Sequence, residues 1–186
     1  MVRRWHASDP RRMSGADVSE PAAVPDPLAG DAPVAELVRA LRAAGQTVAT
    51  AESLTAGLLS ATLAGVPGAS AVLRGGLVVY ATDLKHTLAG VSAELLATEG
   101  PVAASTAEQL AVGARARCGS DWGVGLTGVA GPDTQGGHPV GTVFLGLSGP
   151  WHTEVMRLRL AGQRWTIRHT AAQRAVAELL RCVRSG

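Results

Sequence analysis

A serine lies in this sequence where a predicted strand gives way to a predicted helix. The run Thr47 to Thr50 is typical of a strand, the turn Ala51-Glu52-Ser53 follows, and small residues with helical spacing continue from Thr55 to Leu63. Helix N-termini carry unpaired N–H groups and a partial positive charge, so they can stabilise a developing anion. Ser53 is therefore either a helix cap, a common role of serine at such a turn, or a nucleophile.

A tyrosine and a lysine follow the apolar run Leu77-Val78-Val79. Tyr80 closes that predicted strand, and Lys85 lies about one turn into the next segment. A partly buried lysine loses its proton more readily, because burial disfavours the charged form, and it can then act as the general base for a serine. The alternatives are a surface lysine and a strand-end tyrosine whose hydroxyl reaches solvent.

A glycine-rich loop follows the predicted strand Trp122 to Leu126. Three glycines in this region have the spacing G-x-G-x-x-G: Gly123, Gly125 and Gly128. This spacing does not indicate a dinucleotide site, because the first two glycines fall inside the strand and no acidic residue follows about 20 residues later. Thr127 and Gly128 still lie at a strand end, where α/β sheets bind ligands, although a plain connection would have the same composition.

The histidines and cysteines show no metal-ligand spacing: His6, His86, His138, His152, His169, Cys118 and Cys182. We therefore predict no metal, no cofactor and two reduced thiols. His138 lies in the glycine-rich loop, where it contacts either a ligand or solvent. Arg164 is the arginine best placed to meet an anion, and most arginines of the last helix are expected to be solvated.

The composition indicates a globular protein with a sizeable core. The chain has 186 residues, 46% hydrophobic content and a net charge of +2. Aromatic residues make up 3%, so neither charge nor stacking supports nucleic-acid binding. No apolar run approaches the roughly 18 residues that a membrane span needs. We predict a cytoplasmic protein with neither nucleic-acid nor membrane partners.

The first 30 residues differ from the rest of the chain. They hold four of the ten prolines, mixed with Asp, Arg and Ser, and show no hydrophobic period. This composition predicts a disordered extension over residues 1–30, in which Met13 is an alternative start. The folded domain is predicted over residues 31–186, with Asp31 capping a first helix that Gly45 ends.

Strands alternate with helices through this domain. Strands are predicted at 47–50, 71–81, 122–126, 140–148 and 152–160, and further helices at 55–63, 82–88, 92–99, 105–118 and 165–183. Gly75-Gly76 predicts a bulge, Ser105 a helix cap, and Gly149-Pro150 a hairpin between the last two strands. Strands interleaved with helices and followed by a hairpin predict an α/β domain with a mixed sheet covered on both faces.

Six segments, taken in order, resemble the C-terminal domain family of CinA, whose stand-alone form is nicotinamide-nucleotide amidohydrolase. They cover about residues 34–183 and read TAESLTAGLL (Thr50 to Leu59), VPGAS (Val66 to Ser70), GGLVVYATDLK (Gly75 to Lys85), LAGV (Leu88 to Val91), LTGVAGP (Leu126 to Pro132) and PVGTVFLGL (Pro139 to Leu147). The resemblance implies a three-layer α/β/α sandwich with a mixed, mostly parallel sheet. It also implies a homodimer and no cofactor.

The resemblance implies hydrolysis of the carboxamide of nicotinamide mononucleotide, giving nicotinate mononucleotide and ammonia. The family's nucleophile matches Ser53, its lysine Lys85 and its tyrosine Tyr80. Thr55 then becomes the better candidate for the helix cap. The residues expected to bind substrate or oxyanion are Thr55, Ala56, Gly57, Thr127, Gly128 and Arg164.

Three positions depart from the family pattern. Ala56 replaces a glycine, Thr82 an asparagine and Gln163 an aspartate. If residue 56 must adopt an unusual φ, alanine is disfavoured there. Ala56 thus supports an alternative function, a non-catalytic nucleotide-binding module with a regulatory role in competence or DNA damage. A third possibility is hydrolysis of a different amide.

Overall fold

The computed structural model of the chain describes Leu28 and residues 32–186. In chain order, its helices and strands are α1 (Val34–Ala44), β1 (Val48–Glu52), α2 (Leu58–Ala64), β2 (Leu73–Val78), α3 (Thr82–Thr87), α4 (Ala93–Thr98), α5 (Ala104–Cys118), β3 (Trp122–Gly128), β4 (Thr142–Ser148), β5 (Thr153–Arg159) and α6 (Arg164–Ser185). A short 3₁₀ turn (Ala69–Ala71) precedes β2.

The strands form one mixed sheet in the order β2-β1-β3-β4-β5. β1 pairs in parallel with both β2 and β3, whereas β3–β4 and β4–β5 are antiparallel pairs. In this sheet only β4 is reversed, so the other strands all point the same way. The predicted hairpin and the mixed, mostly parallel sheet are confirmed.

Helices cover both faces of the sheet. α1, α2 and α6 pack against one face, where the largest cluster of buried apolar side chains lies. α5 packs against the other face, together with α3 and α4. The chain leaves β1 through α2 on one face and enters β3 from α5 on the other. The result is the predicted three-layer α/β/α sandwich, with its strand order reversing between β1 and β3.

Close packing of α5 explains the glycine spacing in β3. A Cβ added at Gly123 would lie 1.9 Å from the carbonyl oxygen of Ala111. A Cβ at Gly125, or at Gly146 of β4, would lie 2.3 Å from the carbonyl oxygen of Ala107. These glycines therefore let the backbone of α5 lie directly on the strands, and the spacing of Gly123 and Gly125 reflects this packing, not a phosphate loop.

The turn after β1 begins later than the sequence predicts. β1 continues through Glu52, so the turn starts at Ser53. α2 begins at Leu58, and its N-cap is Gly57 with no side-chain capping bond. The prediction that Thr55 caps this helix is therefore wrong. The small residues from Ser53 to Ala56 resemble helix in composition, but they form a turn between β1 and α2.

Two smaller predictions concern a cap and a bulge. The N-cap of α5 is Ala103 instead of the predicted Ser105, and it makes no side-chain capping bond. The register of β1 against β2 shifts by one residue at Arg74, beside the Gly75-Gly76 pair that predicted a bulge. The bulge therefore lies next to the glycines.

The predicted extension over residues 1–30 lies outside the described residues except for Leu28, as does the predicted cap Asp31. α1 begins at Val34 without a side-chain capping bond. The carbonyl oxygen of Leu28 accepts a hydrogen bond from Nε2 of Gln173 at 3.3 Å, so this residue contacts α6. Within the described part of the chain, no helix has the length and apolar character of a membrane span.

The close contact between α5 and the sheet makes Gly125 sensitive to any side chain. We expect Gly125→Ala to lower the free energy of unfolding by about 1–3 kcal/mol, because the added methyl meets backbone atoms of α5 that cannot move independently. Val112→Ala, on the exposed side of the same helix, should change it by less than about 0.5 kcal/mol. Urea unfolding measures both, and equal stability of Gly125→Ala and wild type would contradict the packing argument.

Candidate active site

The carboxyl ends of β1, β2 and β3 surround a cavity of about 130 Å³. It lies where the strand order reverses, which is where open α/β sheets bind ligands. Six residues selected from the sequence line it: Ser53, Tyr80, Lys85, Thr127, Gly128 and Arg164. Thr55, Ala56 and Gly57 are in the turn that follows Ser53 and do not contribute to the lining.

Ser53 and Lys85 meet in this cavity. Nζ of Lys85 lies 3.1 Å from Oγ of Ser53, 2.8 Å from the carbonyl oxygen of Val79 and 3.2 Å from that of Tyr80. The three acceptors match the three donors of an ammonium group. A neutral amine can keep both bonds to the carbonyls and direct its lone pair at the Ser53 hydroxyl, so the geometry suits a base beside a nucleophile.

Burial favours the neutral form of Lys85. The side chain is 1% exposed, and no described carboxylate forms a salt bridge with it. Burial lowers the pKa of Lys85 from 10.5 to about 8. Lys85 is also the only lysine of the chain, so every other residue among its 17 lysines and arginines is an arginine. Because guanidinium does not lose its proton near neutral pH, arginine cannot replace this lysine as a base.

Glu52 supports the site from outside the cavity lining, and the sequence argument missed it. It ends β1, and its fully buried carboxylate accepts N–H bonds from Gly57, Leu59 and Ser60 at 3.0, 3.1 and 2.8 Å. The hydroxyls of Ser60 and Thr50 donate two further bonds, at 2.7 and 3.0 Å. A carboxylate under a helix N-terminus satisfies its unpaired amides and interacts favourably with its dipole. Glu52 therefore fixes the position of α2 relative to β1.

Because Glu52 occupies amides at the start of α2, the backbone N–H groups that could bind an oxyanion are those of the turn before the helix. Among the described residues, the backbone N–H groups of Leu54 and Thr55 have no hydrogen-bond acceptor. Arg168 of α6, expected to be solvated with most of its neighbours, donates to the carbonyl oxygens of the same two residues at 2.7 and 3.1 Å. Because the C=O and N–H of a trans peptide point in opposite directions, the bond to Leu54 orients the Thr55 amide.

Ala56 adopts the backbone conformation that a glycine at this position implies. Its φ is 51°, and it is the one non-glycine residue with positive φ in the described part of the chain. A side chain in this region costs roughly 1–2 kcal/mol. The Ala56 N–H donates to the Ser53 carbonyl at 3.1 Å, and the next residue, Gly57, is held by Glu52. Neighbouring bonds thus hold the strained residue in place.

Arg164 and Tyr80 form the rim of the cavity. The guanidinium of Arg164 donates to the Tyr80 hydroxyl at 2.7 Å and to the carbonyl oxygen of Gly131. Arg164 is the first residue of α6, and no acidic residue lies in the first turn of that helix. A cation at the positive end of a helix dipole lacks electrostatic compensation, so this rim favours an anionic ligand.

Thr127 and Gly128 bring the end of β3 to the cavity. The Thr127 hydroxyl donates to the carbonyl oxygen of Pro101 at 2.6 Å, so this side chain already has a partner. A Cβ at Gly128 would lie 2.5 Å from the carbonyl oxygen of Thr142, so glycine permits the close approach of β4. Both residues line the cavity beside the Ser53–Lys85 pair.

Thr82, which departs from the family pattern and begins α3, also lines the cavity, together with two loop residues that the sequence argument did not select, Asp133 and Gln135. These two loop residues come from a segment without a periodic pattern, so spacing gave no signal for them. His138 is not part of the lining, and its ring instead packs edge-on against Phe144 with centroids 5.6 Å apart. Within the described chain, the lining offers one carboxylate and no histidine or cysteine, which is a poor donor set for a metal.

A serine beside a buried lysine, at the strand ends of a doubly covered mixed sheet, defines the class of this molecule as an α/β domain with a serine–lysine site. The profile of the CinA C-terminal domain family matches residues 31–183. The chain belongs to this family, as its sequence motifs predict.

Relatives by sequence carry names related to competence and damage. A competence-damage inducible protein of Streptococcus pneumoniae is 45% identical over 140 residues, which are 75% of this chain and 34% of the relative. A CinA-like protein of Frankia casuarinae is 48% identical over 140 residues, 75% of this chain and 32% of the relative. The chain thus spans about a third of the length of these relatives.

Solved structures share the fold. A CinA superfamily protein of Klebsiella pneumoniae superposes with a TM-score of 0.80 at 28% identity, over 82% of this chain and 96% of that one. Competence damage-inducible protein A from the same species gives 0.78 at 33% identity, over 80% and 92%. A competence/damage inducible protein of Agrobacterium tumefaciens gives 0.74 at 34% identity, over 81% and 95%. The predicted fold class is confirmed.

The Glu52 carboxylate should be important for stability. We expect Glu52→Gln to lower the free energy of unfolding by about 1–3 kcal/mol, because buried donors lose a charged acceptor and one oxygen becomes an amide N–H₂. Glu108→Gln changes an exposed carboxylate without described bonds and should stay within about 0.5 kcal/mol of wild type. Urea unfolding compares them, and equal losses would show that the bonds under α2 add nothing specific.

The buried lysine should make stability depend on pH. Below the folded pKa of about 8, native and unfolded chains both hold the proton on Lys85. Between this value and the ordinary 10.5, the native amine is neutral while the unfolded amine is charged, so unfolding takes up a proton. Wild type should therefore gain stability with rising pH across this window, by up to about 3 kcal/mol relative to Lys85→Met.

Urea unfolding of both proteins at about pH 7 and about pH 10 measures this difference, because all other titrating groups are shared and cancel. The single lysine also allows its pKa to be followed by NMR of one side-chain amine. A pH-independent difference between the two proteins would contradict a lowered pKa.

Proposed function

We propose that the protein hydrolyses the carboxamide of nicotinamide mononucleotide to nicotinate mononucleotide and ammonia, with Ser53 as nucleophile and Lys85 as general base. The observation that carries this proposal is the 3.1 Å contact between Ser53 Oγ and the Nζ of a lysine that is 1% exposed. The nicotinamide substrate rests on the resemblance of the motifs to the amidohydrolase form of the family. The names of the relatives specify no reaction.

In the first step, the lone pair of Lys85 takes the hydroxyl proton as Ser53 Oγ bonds to the carboxamide carbon. The carbonyl π electrons move to oxygen, and the resulting oxyanion accepts bonds from the N–H groups of Leu54 and Thr55. Each preorganised donor of this kind contributes on the order of 3 kcal/mol to transition-state stabilisation. Arg168 keeps this turn in position through the two carbonyls that it binds.

In the second step, the C–N bond breaks and the leaving nitrogen takes a proton from the Lys85 ammonium, so that ammonia departs and an acyl-enzyme remains on Ser53. Tyr80, whose hydroxyl lies on the rim, is the second candidate to relay this proton. Water then attacks the ester with Lys85 again as base, which releases the carboxylate product and restores both side chains.

Charge placement around the cavity supports a nucleotide substrate. Arg164 and the unpaired amides of the α6 N-terminus suit the phosphate. Thr127 and Gly128 line the same cavity as Arg164 and Ser53. Asp133, on the glycine-rich loop, offers a carboxylate for ribose hydroxyls or for the positively charged pyridinium ring.

The alternative is a nucleotide-binding module without catalysis, and Ala56 is the observation that favours it. An alanine at φ 51° strains the turn that carries the proposed oxyanion donors. A site that binds the nucleotide but releases no ammonia would then serve regulation, in line with the competence-damage names of the relatives.

Ammonia release from nicotinamide mononucleotide by wild type, Ser53→Ala and Lys85→Met tests the proposal. We expect each variant to lose at least about 100-fold in kcat, since the nucleophile or its base is removed. The exposed Ser70→Ala serves as the matched control and should match wild type. The wild-type kcat/KM should rise with pH through an apparent pKa of about 8, as the neutral amine is the active form.

Full activity of Ser53→Ala or Lys85→Met would refute the serine–lysine mechanism. Nucleotide binding by wild type without ammonia release would favour the regulatory alternative. Release of ammonia from a different amide alone would retain the mechanism and change the substrate.

A further inference from the structure

A second group of reactive side chains lies at the opposite end of the sheet from Ser53. His152 immediately precedes β5, Glu154 is the second residue of β5, and Cys182 lies near the end of α6. Their ligand atoms, an imidazole nitrogen, a carboxylate oxygen and a thiol sulfur, all lie within 4.8 Å of one another. None of the three lines the cavity described above.

We propose that His152, Glu154 and Cys182 form a binding site for a divalent zinc-type cation. Thiolate, imidazole and carboxylate are the donors that zinc takes from proteins, at about 2.0–2.3 Å. Tetrahedral coordination at these distances holds neighbouring ligand atoms roughly 3.5 Å apart. In the structure the Cys182 sulfur lies 2.9 Å from Oε1 of Glu154, and all pairs of ligand atoms lie within 4.8 Å. Coordination therefore needs shifts of only about 1 Å, which side-chain torsions of the exposed His152 and the half-buried Glu154 can supply.

The Cys182 thiol already points at the carboxylate. Its sulfur is buried at 1% residue exposure and donates to Oε1 of Glu154 at 2.9 Å. A cation placed between sulfur and oxygen would replace the shared proton, forming a metal–sulfur bond while the thiol proton leaves to solvent. Burial and Glu154 raise the pKa of the Cys182 thiol to about 12, so this proton is present before the cation binds.

The surrounding charges permit the exchange. Arg181 is the competing cation, because its guanidinium also contacts Oε1 of Glu154. It has a second partner in Glu178, whose Oε2 accepts from Arg181 Nε at 2.9 Å, so it stays paired if a metal takes Glu154. Within the described chain, Oε2 of Glu154 accepts no hydrogen bond and is available as a ligand atom.

The site lies between two elements that the Arg181–Glu154 ion pair and the Cys182–Glu154 hydrogen bond already join. His152 and Glu154 belong to the β4–β5 hairpin, and Cys182 belongs to the C-terminal part of α6. Three protein ligands leave a fourth position for water or for a donor from another molecule. A bound cation would therefore hold the hairpin against the helix and stabilise the native chain by mass action.

Titration of the chelator-treated, full-length protein with Co²⁺ tests this inference, because a thiolate ligand produces a sulfur-to-cobalt charge-transfer band in the near ultraviolet. We expect one Co²⁺ per chain with this band, displaced by Zn²⁺ with release of no further proton. Cys182→Ser should lose the band, and Cys118→Ser, the other cysteine of the chain, should keep it.

His152→Ala changes an exposed position and Glu154→Gln a half-buried one, and neither removes apolar core volume. Each should weaken Zn²⁺ binding at least tenfold in calorimetric titration and reduce the rise in melting temperature that Zn²⁺ gives wild type. A wild type without the band, a band that persists in Cys182→Ser, or unchanged Zn²⁺ affinity in either His152→Ala or Glu154→Gln would overturn the proposal.

Discussion

The Glu52 carboxylate is the contact on which the candidate active site depends. It accepts three backbone and two hydroxyl hydrogen bonds beneath the N-terminus of α2, and so joins the end of β1 to the start of the helix. The residues from Ser53 to Ala56 form the short link between these fixed ends. A link held at both ends can keep Ala56 at φ 51°, because relaxing it would break bonds to a buried charge.

The same contact explains why no described carboxylate pairs with Lys85. Glu52 directly precedes Ser53, yet its oxygens accept hydrogen bonds from helix amides and hydroxyls. The amine of Lys85 contacts two backbone carbonyls and the serine hydroxyl instead. A carboxylate beside the ammonium would favour the charged form and raise its pKa. Burial without such a partner lowers the pKa of Lys85 to about 8 instead. Glu52 and Lys85 thus lie in separate electrostatic environments, although Glu52 is next to Ser53 in the sequence.

Much of the fold follows from local pattern, and much of the site does not. Alternating and apolar runs located every strand, and the motif resemblance selected Ser53 and Lys85, which the structure brings within 3.1 Å. The sequence pattern predicts too early a start for α2, because the turn before it is built from small residues that also suit helices. Arg168 bonds a carbonyl 114 residues away, so no local spacing could reveal it. The single lysine among many arginines was a signal available in composition alone.

The last helix relates the two ends of the sheet. α6 has 22 residues and is therefore about 33 Å long. Its first turns supply Arg164 and Arg168 to the candidate active site, and its final turns bring Cys182 to Glu154. Residues that lie far apart in sequence, on a hairpin and on a helix, can share a site only through this packing. Ligand spacing therefore fails as a guide to the second cluster for the same reason that it missed Arg168: both arise from how α6 lies across the sheet.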